Sequence, residues 1–341
     1  MSQIAIRQVI LASRPRGKVQ LSDFRLEEVP LCDPGPGELL LETMYLSLDP
    51  YMRGRMDGRK SYAEPTALGS VMPGECVATV VESRNPNYGI GEIVTCFTGW
   101  RTRAISDGTK LRKVDSSLAP ITTALGVLGM PGFTAYSGLR AIGKPTKGDT
   151  VVVAAASGPV GSLVGQLAQL AGARAVGIAG GSLKCGLVKE EFGFEEAIDH
   201  RSANFESQLA AVCPGGIDVY FENVGGAILQ AVLPMLNEFA RIPVCGLIAQ
   251  YDGAETVGAI DLAGAMRIIL SKRLTLRGFI NYDFVDELYG DFQREISVAI
   301  ADGKIRYRED IVDGLENAPG AFIGMLAGRN FGKLLVRMAG A

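Results

Sequence analysis

Residues 151–165 read VVVAAASGPVGSLVG, and this stretch decides the fold class of the chain. An apolar run ends in small residues, and apolar side chains then return at helical spacing from Val160 to Leu170. The hexapeptide 156–161 matches the G-x-G-x-x-G fingerprint with Ala at its first position, between a predicted strand and a predicted helix. Small residues let a ligand approach the backbone, so the pattern predicts a diphosphate bound by N–H groups of the first helical turn. The alternative is a tight turn that binds no ligand.

Strand-like and helix-like patterns alternate on both sides of this turn. Gly161 and Gly165 are expected to let the first helix pack tightly on its strand. Alternating strands and helices are typical of a doubly wound, mainly parallel sheet, so the sequence predicts a Rossmann-type α/β domain over residues 127–300. The apolar strand-like runs fall at 150–155, 174–179, 197–199, 217–224, 240–247 and 274–280.

The chain before this domain has a different rhythm. Short apolar runs, such as 39–46 and 76–81, are separated by turns rich in Gly and Pro. This pattern predicts a β-rich domain over residues 1–126, with the character of a distorted barrel. Residues 301–341 end in the strand-like GKLLVRM, and we expect this segment to return to the first domain.

The composition argues against several classes of partner. The formal net charge is -3 over 341 residues, which gives no electrostatic reason to expect nucleic acid or an acidic membrane surface. The uncharged stretch 150–173 has the length of a membrane span, but its Gly, Ser, Pro and Gln residues predict buried strand, turn and helix. The six cysteines lie far apart without a CxxC pair, and the start of the chain lacks the layout of a secretory signal. We therefore expect a cytoplasmic protein with reduced thiols that acts on a small molecule.

The type of dinucleotide can be argued from the end of the second predicted strand. An NAD site usually places an acid about 20 residues after the glycine turn, to bind the ribose 2′-hydroxyl. Residues 178–184 read IAGGSLK, without an acid, and Ser182 and Lys184 are suited to a 2′-phosphate. The predicted cofactor is therefore NADPH. The alternative is that Lys184 only solvates the start of a helix.

The sole histidine, His200, follows a predicted strand in AIDHRS. Without a second histidine it cannot anchor a zinc site of the usual kinds. We expect His200 or Arg201 to contact the adenosine phosphate. A catalytic base and a plain loop histidine are the two alternatives.

Several segments together make the chain resemble a known superfamily. It is similar to the zinc-independent medium-chain dehydrogenase/reductases, in the branch of leukotriene B4 dehydrogenase/prostaglandin reductase, plant alkenal double-bond reductases and bacterial curcumin reductase. The resemblance covers nearly the whole chain and implies a GroES-like first domain, with NADPH in the cleft between the domains. It rests on SLDPYMRGRM (47–56), GMPGFTAYSGL (129–139), AAASGPVGSLVGQLA (154–168), DVYFENVGG (218–226), CGLIAQYDG (245–253) and GRNFGKLLV (328–336).

The resemblance also implies a set of cofactor contacts. The pyrophosphate would lie on Gly158, Val160, Gly161 and Ser162, and the 2′-phosphate and adenosine on Lys184 and His200, where the family usually has Tyr. Thr134 would be a polar contact beside the nicotinamide. The ribose, nicotinamide and carboxamide would meet Asn223, Cys245, Gly246, Leu247, Ile248, Tyr251, Phe279, Ile280, Asn281 and Asn330. A second departure is Ala249-Gln250-Tyr251-Asp252, where Ser-Gln/Val-Tyr-Asn is commoner.

No metal site is predicted. The zinc-dependent relatives carry Gly-His-Glu and a spaced cysteine cluster, whereas this chain reads Pro73-Gly74-Glu75-Cys76. Without Zn²⁺ to stabilise an alkoxide, the fitting chemistry is reduction of an activated C=C bond. Hydride would add to the β-carbon of an α,β-unsaturated ketone or aldehyde, and a proton would follow at the α-carbon.

Two tyrosines are the candidates for contact with the substrate. Tyr251, expected at the end of a strand, is the main candidate for the donor to the enolate oxygen. The competing donor is the 2′-hydroxyl of the nicotinamide ribose, and an aromatic wall is the alternative role for Tyr251. Tyr51 is expected to be a substrate wall, in a helix capped by Asp49 with Pro50 at its first position.

Two other functions stay open. One is an NADPH quinone reductase of the same superfamily, and the other is a non-catalytic NADPH-binding protein. A homodimer, formed through the sheet edges of the cofactor domain, is implied by the family only.

Overall fold

The computed structural model describes residues 3–59, 61–251 and 261–338. The chain forms two compact units, one of residues 1–126 with 309–341 and the other of residues 127–308. The second boundary was expected after residue 300, but residues 301–308 belong to the second unit. The reason is that the Gln166 side chain bonds both the N–H and the C=O of Arg306, at 2.7 and 2.9 Å.

The elements alternate as the sequence indicated. The strands are β1 (Gln3–Leu11), β2 (Phe24–Cys32), β3 (Leu39–Ser47), β4 (Cys76–Ser83), β5 (Ile93–Cys96), β6 (Arg103–Ser106), β7 (Arg112–Lys113), β8 (Thr150–Ala154), β9 (Arg174–Ala179), β10 (Glu196–Asp199), β11 (Ile217–Phe221), β12 (Leu236–Val244), β13 (Thr275–Gly278), β14 (Glu309–Asp313) and β15 (Lys333–Arg337). The α-helices are α1 (Tyr51–Arg55), α2 (Met130–Gly138), α3 (Pro159–Leu170), α4 (Ser182–Glu190), α5 (Phe205–Val212), α6 (Gly226–Val232), α7 (Leu262–Lys272), α8 (Val285–Ala301) and α9 (Ala318–Leu326). Short 3-10 helices lie at Leu21–Asp23, Ile121–Leu125, Leu233–Met235, Ile248–Gln250, Asn281–Phe284 and Leu315–Asn317, and a π-helical turn at Leu139–Gly143.

The second unit contains the predicted doubly wound sheet. Its strands lie in the order β10-β9-β8-β11-β12-β13 and pair in parallel. Counted from β8 this is the order 3-2-1-4-5-6, which reverses between β8 and β11. Ligands of such sheets bind beside the carboxyl ends of the strands at that point. The glycine turn after β8 and the FENVGG segment after β11 both lie there.

The first unit is the predicted β-rich domain. Its main sheet runs β14-β15-β3-β4-β5-β7, with β6 paired to β3, and β1 and β2 form a separate antiparallel pair. As expected, the last strand returns: β15 pairs antiparallel with β3. The sole tryptophan, Trp100, is fully buried in the core, with the Phe24 ring stacked on it at 5.6 Å and the Phe322 ring edge-on at 5.7 Å.

The uncharged stretch 150–173 forms β8, the glycine turn and α3, as predicted. Among the described residues, the helices are all too short or too polar to cross a bilayer.

Candidate cofactor and active site

The glycine turn, residues 155–161, is shaped by close backbone contact. Gly158 is the N-cap of α3, and Pro159 takes the first helical position, where a missing N–H costs nothing. A Cβ added at Gly161 would lie 2.4 Å from the carbonyl oxygen of Ala155 and 2.8 Å from the Cα of Ala156. Only glycine therefore lets α3 start against the end of β8, with its first N–H groups and the positive end of its dipole at this edge of the sheet.

Gly165 has a different role from the one expected. A Cβ added there would lie 1.9 Å from the Phe194 ring, so Gly165 makes room for that buried ring and not for the strand. Val160 is half-buried and Ser162 is buried at the start of the helix. The four predicted pyrophosphate residues thus lie together at one helix end.

The second predicted phosphate site lies one strand along the sheet. After β9 the chain turns through Gly180 and Gly181, whose φ is +95°, into α4, which begins at Ser182. A Cβ added at Gly180 would lie 3.0 Å from Nε2 of His200 and 3.1 Å from Nε of Arg201, so these two side chains cover the turn. Lys184, on the first turn of α4, is only 9% exposed.

One acid, Asp199, lies in this region, but its carboxylate is hydrogen-bonded to backbone N–H groups. Oδ1 of Asp199 accepts from the N–H groups of Gly181 and Arg201, at 2.8 and 2.9 Å. These bonds lower the pKa of Asp199 and fix the turn. With Lys184, Arg201 and a helix N-terminus on the same turn, the donor set fits a phosphate better than a ribose hydroxyl.

The FENVGG segment connects the glycine turn to the segment after β12. Nδ2 of Asn223 donates to the carbonyl oxygen of Ala154, the last residue of β8, at 2.8 Å. The backbone carbonyl of Glu222 accepts from the N–H groups of Cys245 and Gly246, at 2.9 and 3.2 Å. Asn223 and residues 245–248 are therefore held together at the carboxyl ends of β8, β11 and β12.

Glu222, which the sequence analysis did not single out, organises this loop. Its side chain is fully buried, and Oε1 accepts from the N–H groups of Val224 and Gly225, at 2.6 and 2.8 Å. These bonds end β11 at Phe221, three residues before the expected end at Val224. Burial raises the pKa of Glu222, and together with the Glu222 carboxylate it raises the pKa of Cys245 to about 12, so the Cys245 thiol stays protonated.

We expected Tyr251 at the end of a strand, but it does not lie there. β12 ends at Val244 because the next two N–H groups turn onto Glu222, and Tyr251 follows the 3-10 helix Ile248–Gln250. Its hydroxyl nevertheless lies beside Gly246, where an added Cβ would be 3.6 Å from it. The residue after it, Asp252, is outside the described residues.

Thr134 and Asn281 share one backbone acceptor. Oγ1 of Thr134 and Nδ2 of Asn281 contact the carbonyl oxygen of Met130, at 2.8 and 3.5 Å, and both residues are mostly buried. The ring of Phe279, in contrast, packs into the interior against Phe221 and Phe284, so only its backbone can serve a ligand. Ile280 is half-buried, and its N–H donates to Asp283.

Tyr51 and Asn330 belong to the first unit, whereas the other predicted site residues belong to the second. The Tyr51 ring is half-buried on α1 under the guanidinium of Arg55, at 5.8 Å. Nδ2 of Asn330 donates to the carbonyl oxygen of Gly332 at 2.8 Å.

The expected cap of α1 is wrong. Pro50, not Asp49, is the N-cap, and the Asp49 carboxylate accepts from Nζ of Lys333 at 2.6 Å and from the hydroxyl of Ser47. Lys333 also donates to the carbonyl of Leu48, at 2.8 Å. With Glu75, whose pKa burial raises to about 7, Asp49 and Lys333 form what we call the charge cluster.

Known proteins match this chain over nearly its full length. A family profile described as N-terminal domain of oxidoreductase matches residues 7–114, and one described as zinc-binding dehydrogenase matches residues 159–298. An NADPH-dependent curcumin reductase from Escherichia coli is 50% identical over 98% of this chain and 97% of its own length. A 2-alkenal reductase (NADP(+)-dependent) from Nicotiana tabacum is 40% identical over 99% and 98%. The crystal structure of CurA in complex with NADPH from Vibrio vulnificus has a TM-score of 0.94 at 50% identity, over 98% of this chain and 100% of that one.

The chain belongs to the zinc-independent medium-chain dehydrogenase/reductase superfamily. Within that superfamily it falls in the branch of NADP-dependent reductases that act on C=C bonds. The predicted family and fold class are thereby confirmed.

The description of the second profile mentions zinc. Across residues 3–59, 61–251 and 261–338, no three His, Cys, Asp or Glu side chains are arranged to bind a metal ion. Where zinc-dependent members of the superfamily have Gly-His-Glu, this chain has Gly74-Glu75-Cys76. Here Glu75 is buried within electrostatic reach of Asp49 and Lys333.

Proposed function

We propose that the chain reduces the C=C bond of α,β-unsaturated ketones and aldehydes with NADPH, without a metal. The observation that carries the proposal is the junction around Asn223, which ties the glycine turn, the FENVGG segment and residues 245–248 together with the Tyr251 hydroxyl beside them. The reductases named above support the substrate class, because this chain is 40–50% identical to them over almost its whole length.

The chain's own residues have two assigned tasks in this reaction. Bound NADPH supplies a hydride to the β-carbon of the substrate, and negative charge then moves to the carbonyl oxygen as an enolate. The Tyr251 hydroxyl donates a hydrogen bond to that oxygen, in competition with the 2′-hydroxyl of the nicotinamide ribose. Glu222 and Asn223 hold the loops that orient the nicotinamide, and the α-carbon receives its proton from a side chain or water.

Replacing the proposed donor tests this mechanism. Tyr251→Phe should lower kcat on an enone by about 100-fold with a smaller change in KM, because the hydroxyl acts mainly in the transition state. The matched control is Tyr88→Phe in the first unit, which removes a hydroxyl bonded to the carbonyl of Gly108. Full turnover of Tyr251→Phe would exclude the tyrosine and leave the ribose hydroxyl as the donor.

The two other functions are separated by a panel of acceptors. NADPH oxidation is measured with enals, linear enones, dienones and a benzoquinone, with NADH in parallel. The proposal expects turnover of enones or enals above that of benzoquinone. Preference for benzoquinone would support a quinone reductase, and NADPH binding without turnover of the panel would support a non-catalytic protein.

We also propose that the chain forms a homodimer through the edge of the second unit's sheet. β13 is the last strand of that sheet and is exposed along its length. The neighbouring α7 exposes Leu262, Met266 and Leu270, which share one helical face, at 72%, 55% and 79%. Sedimentation should give a dimer, and Leu270→Glu should shift it toward monomer. A wild-type monomer at micromolar concentration would contradict this assembly.

We propose a cytoplasmic location because the cysteines are present as free thiols. All six cysteines are free, at positions 32, 76, 96, 185, 213 and 245. Such thiols are typical of a reducing compartment. Fractionation of the native host would test the location, and recovery of the protein outside the cytoplasm would contradict it.

A further inference from the structure

His200 lies on the turn proposed for the 2′-phosphate, in a position set by the backbone. The backbone N–H of His200 donates to the carbonyl oxygen of Ala179, the last residue of β9, at 3.1 Å. This bond brings the imidazole over Gly180, where an added Cβ would lie 3.0 Å from Nε2. The guanidinium of Arg201 covers the same glycine, with Nε 3.1 Å from that point. The ring and the guanidinium therefore face one small area at the start of α4.

Charged groups surround the imidazole from each neighbouring element. Arg201 lies in the same turn, Lys184 on α4 and Asp199 at the end of β10. Cys185 of α4 is the nearby thiol, and its pKa is raised by burial and by Asp199. Burial lowers the pKa of His200 from 6.5, Arg201 and Lys184 lower it further, and Asp199 opposes them. Without a ligand, these influences together favour the neutral imidazole, which lies beside the cations Arg201 and Lys184.

An anion on this turn reverses that balance. A phosphate monoester carries close to two negative charges at neutral pH. An opposite charge within about 4–6 Å favours the protonated imidazole, and desolvation by the ligand makes that interaction stronger. Asp199 supplies only part of this effect: it does not outweigh burial and the two cations, and its carboxylate is already bonded to the N–H groups of Gly181 and Arg201.

We infer that His200 takes up a proton when the 2′-phosphate of NADPH binds, so that the contribution of His200 to the preference for NADPH over NADH grows as the pH falls. The inference rests on the proposed use of NADPH at this turn. It makes His200 a specificity-determining residue whose contribution depends on pH, a property that a tyrosine at this position would not have at neutral pH.

The chain contains a single histidine, which makes a direct measurement possible. The imidazole C–H signals in the NMR spectrum of histidine-labelled protein are titrated for the free protein, with NADPH and with NADH. Saturating NADPH should raise the midpoint by about one pH unit or more, and NADH should leave it close to the free value. An unchanged midpoint in a protein that binds NADPH would overturn the inference.

Calorimetry in buffers of different ionisation enthalpy provides the second measurement. Wild type should take up more protons with NADPH than His200→Gln does, by up to about one per site, with no such difference for NADH. The second titration of the phosphate, near pH 6, occurs in both proteins and cancels in the comparison. The wild-type advantage in NADPH Kd over His200→Gln should grow by up to about tenfold from pH 8 to pH 6.

The remaining outcomes separate the two proposals. His200→Tyr is the second variant, and its NADPH binding should show only the pH dependence that the phosphate itself causes. Equal proton uptake in wild type and both variants would overturn the role of His200 and leave NADPH use intact. Failure of wild type to bind NADPH, or tighter binding of NADH, would overturn the proposed function together with this inference.

Discussion

The glycine turn and the charge cluster each lie within one unit, but they are built from different parts of the chain. The turn is made of backbone and of residues within seven positions of each other, and its contacts forbid a Cβ at Gly161. The cluster joins side chains that are 284 positions apart in sequence, with Lys333 and Asp49 each about 98% buried. Local steric limits leave a pattern that can be read in the sequence, whereas a distant ion pair leaves none.

The largest effect is expected from breaking the cluster. Lys333→Met should lower the free energy of unfolding by about 3–5 kcal/mol, because it leaves the Asp49 carboxylate buried without its counter-ion. Chemical denaturation measures this loss. The control is Lys304→Met, whose partner Asp302 and own side chain are half exposed, and which should cost less than about 1 kcal/mol. The double variant Asp49→Asn/Lys333→Met should recover part of the loss, and strict additivity would contradict the pairing.

A pH effect of about 3 kcal/mol is expected from Glu75. Burial raises its folded pKa from 4.5 to about 7, and Arg112, Asp49 and Lys333 modulate it. The folded state therefore holds this proton more tightly than the unfolded state, and the stability due to Glu75 falls as the pH rises from about 4.5 to about 7. Compared with wild type, Glu75→Gln should gain stability across this window. The control, Glu92→Gln, removes an exposed acid whose pKa is lowered, so the pH-dependent part of its contribution lies below about pH 4.5 and its difference from wild type should stay nearly constant across this window.

The packing beside the glycine turn predicts a smaller loss. Gly165→Ala should cost about 2 kcal/mol, because the new methyl group overlaps the buried Phe194 ring. Phe194→Leu should make room for it, so the double variant should be more stable than the sum of the two single changes predicts. Thermal denaturation of the four proteins completes the cycle. If the stability losses of the two single variants add up in the double variant, the methyl group introduced by Gly165→Ala does not clash with the Phe194 ring.

The smallest effect is a gain at Ala155. Its φ of +52° is a left-handed conformation that glycine adopts without strain. Glycine removes the backbone strain at this position but gives the unfolded chain more conformational entropy. The net effect of Ala155→Gly should be a rise of about 0.5 kcal/mol in the free energy of unfolding. Ala168→Gly, inside α3, should instead lower it by about 1 kcal/mol. Equal losses at both positions would contradict the strain at Ala155.

The same contrast explains what the sequence could predict. The strand-turn-helix at 150–170 was predicted closely, because its apolar periods and glycine contacts are local. The return of the C-terminal strand to the first unit was also predicted, because the segment is a strand-like run, whereas its partner β3 was not predicted. The ends of β11 and β12 were placed too late, because the buried Glu222 bends both segments by hydrogen bonds that no periodicity shows.

The position of two side chains was missed for a related reason. Asp49 before Pro50 has the pattern of a helix cap, but the Asp49 carboxylate instead accepts a hydrogen bond from the distant Lys333. Tyr251 lies beyond a strand that ends early, so its expected place at a strand end was wrong although its hydroxyl lies near Gly246. In both cases the deciding partner, Lys333 or Glu222, is charged and buried, which composition and spacing do not reveal.

The burial of Trp100 gives the molecule a built-in optical probe. Because it is the sole tryptophan and stacks on Phe24, its emission reports on the core of the first unit alone. Far-ultraviolet circular dichroism is dominated by helices, most of which lie in the second unit among the described residues. Following both signals through one denaturant titration would therefore show whether the two units melt as one cooperative body or one after the other.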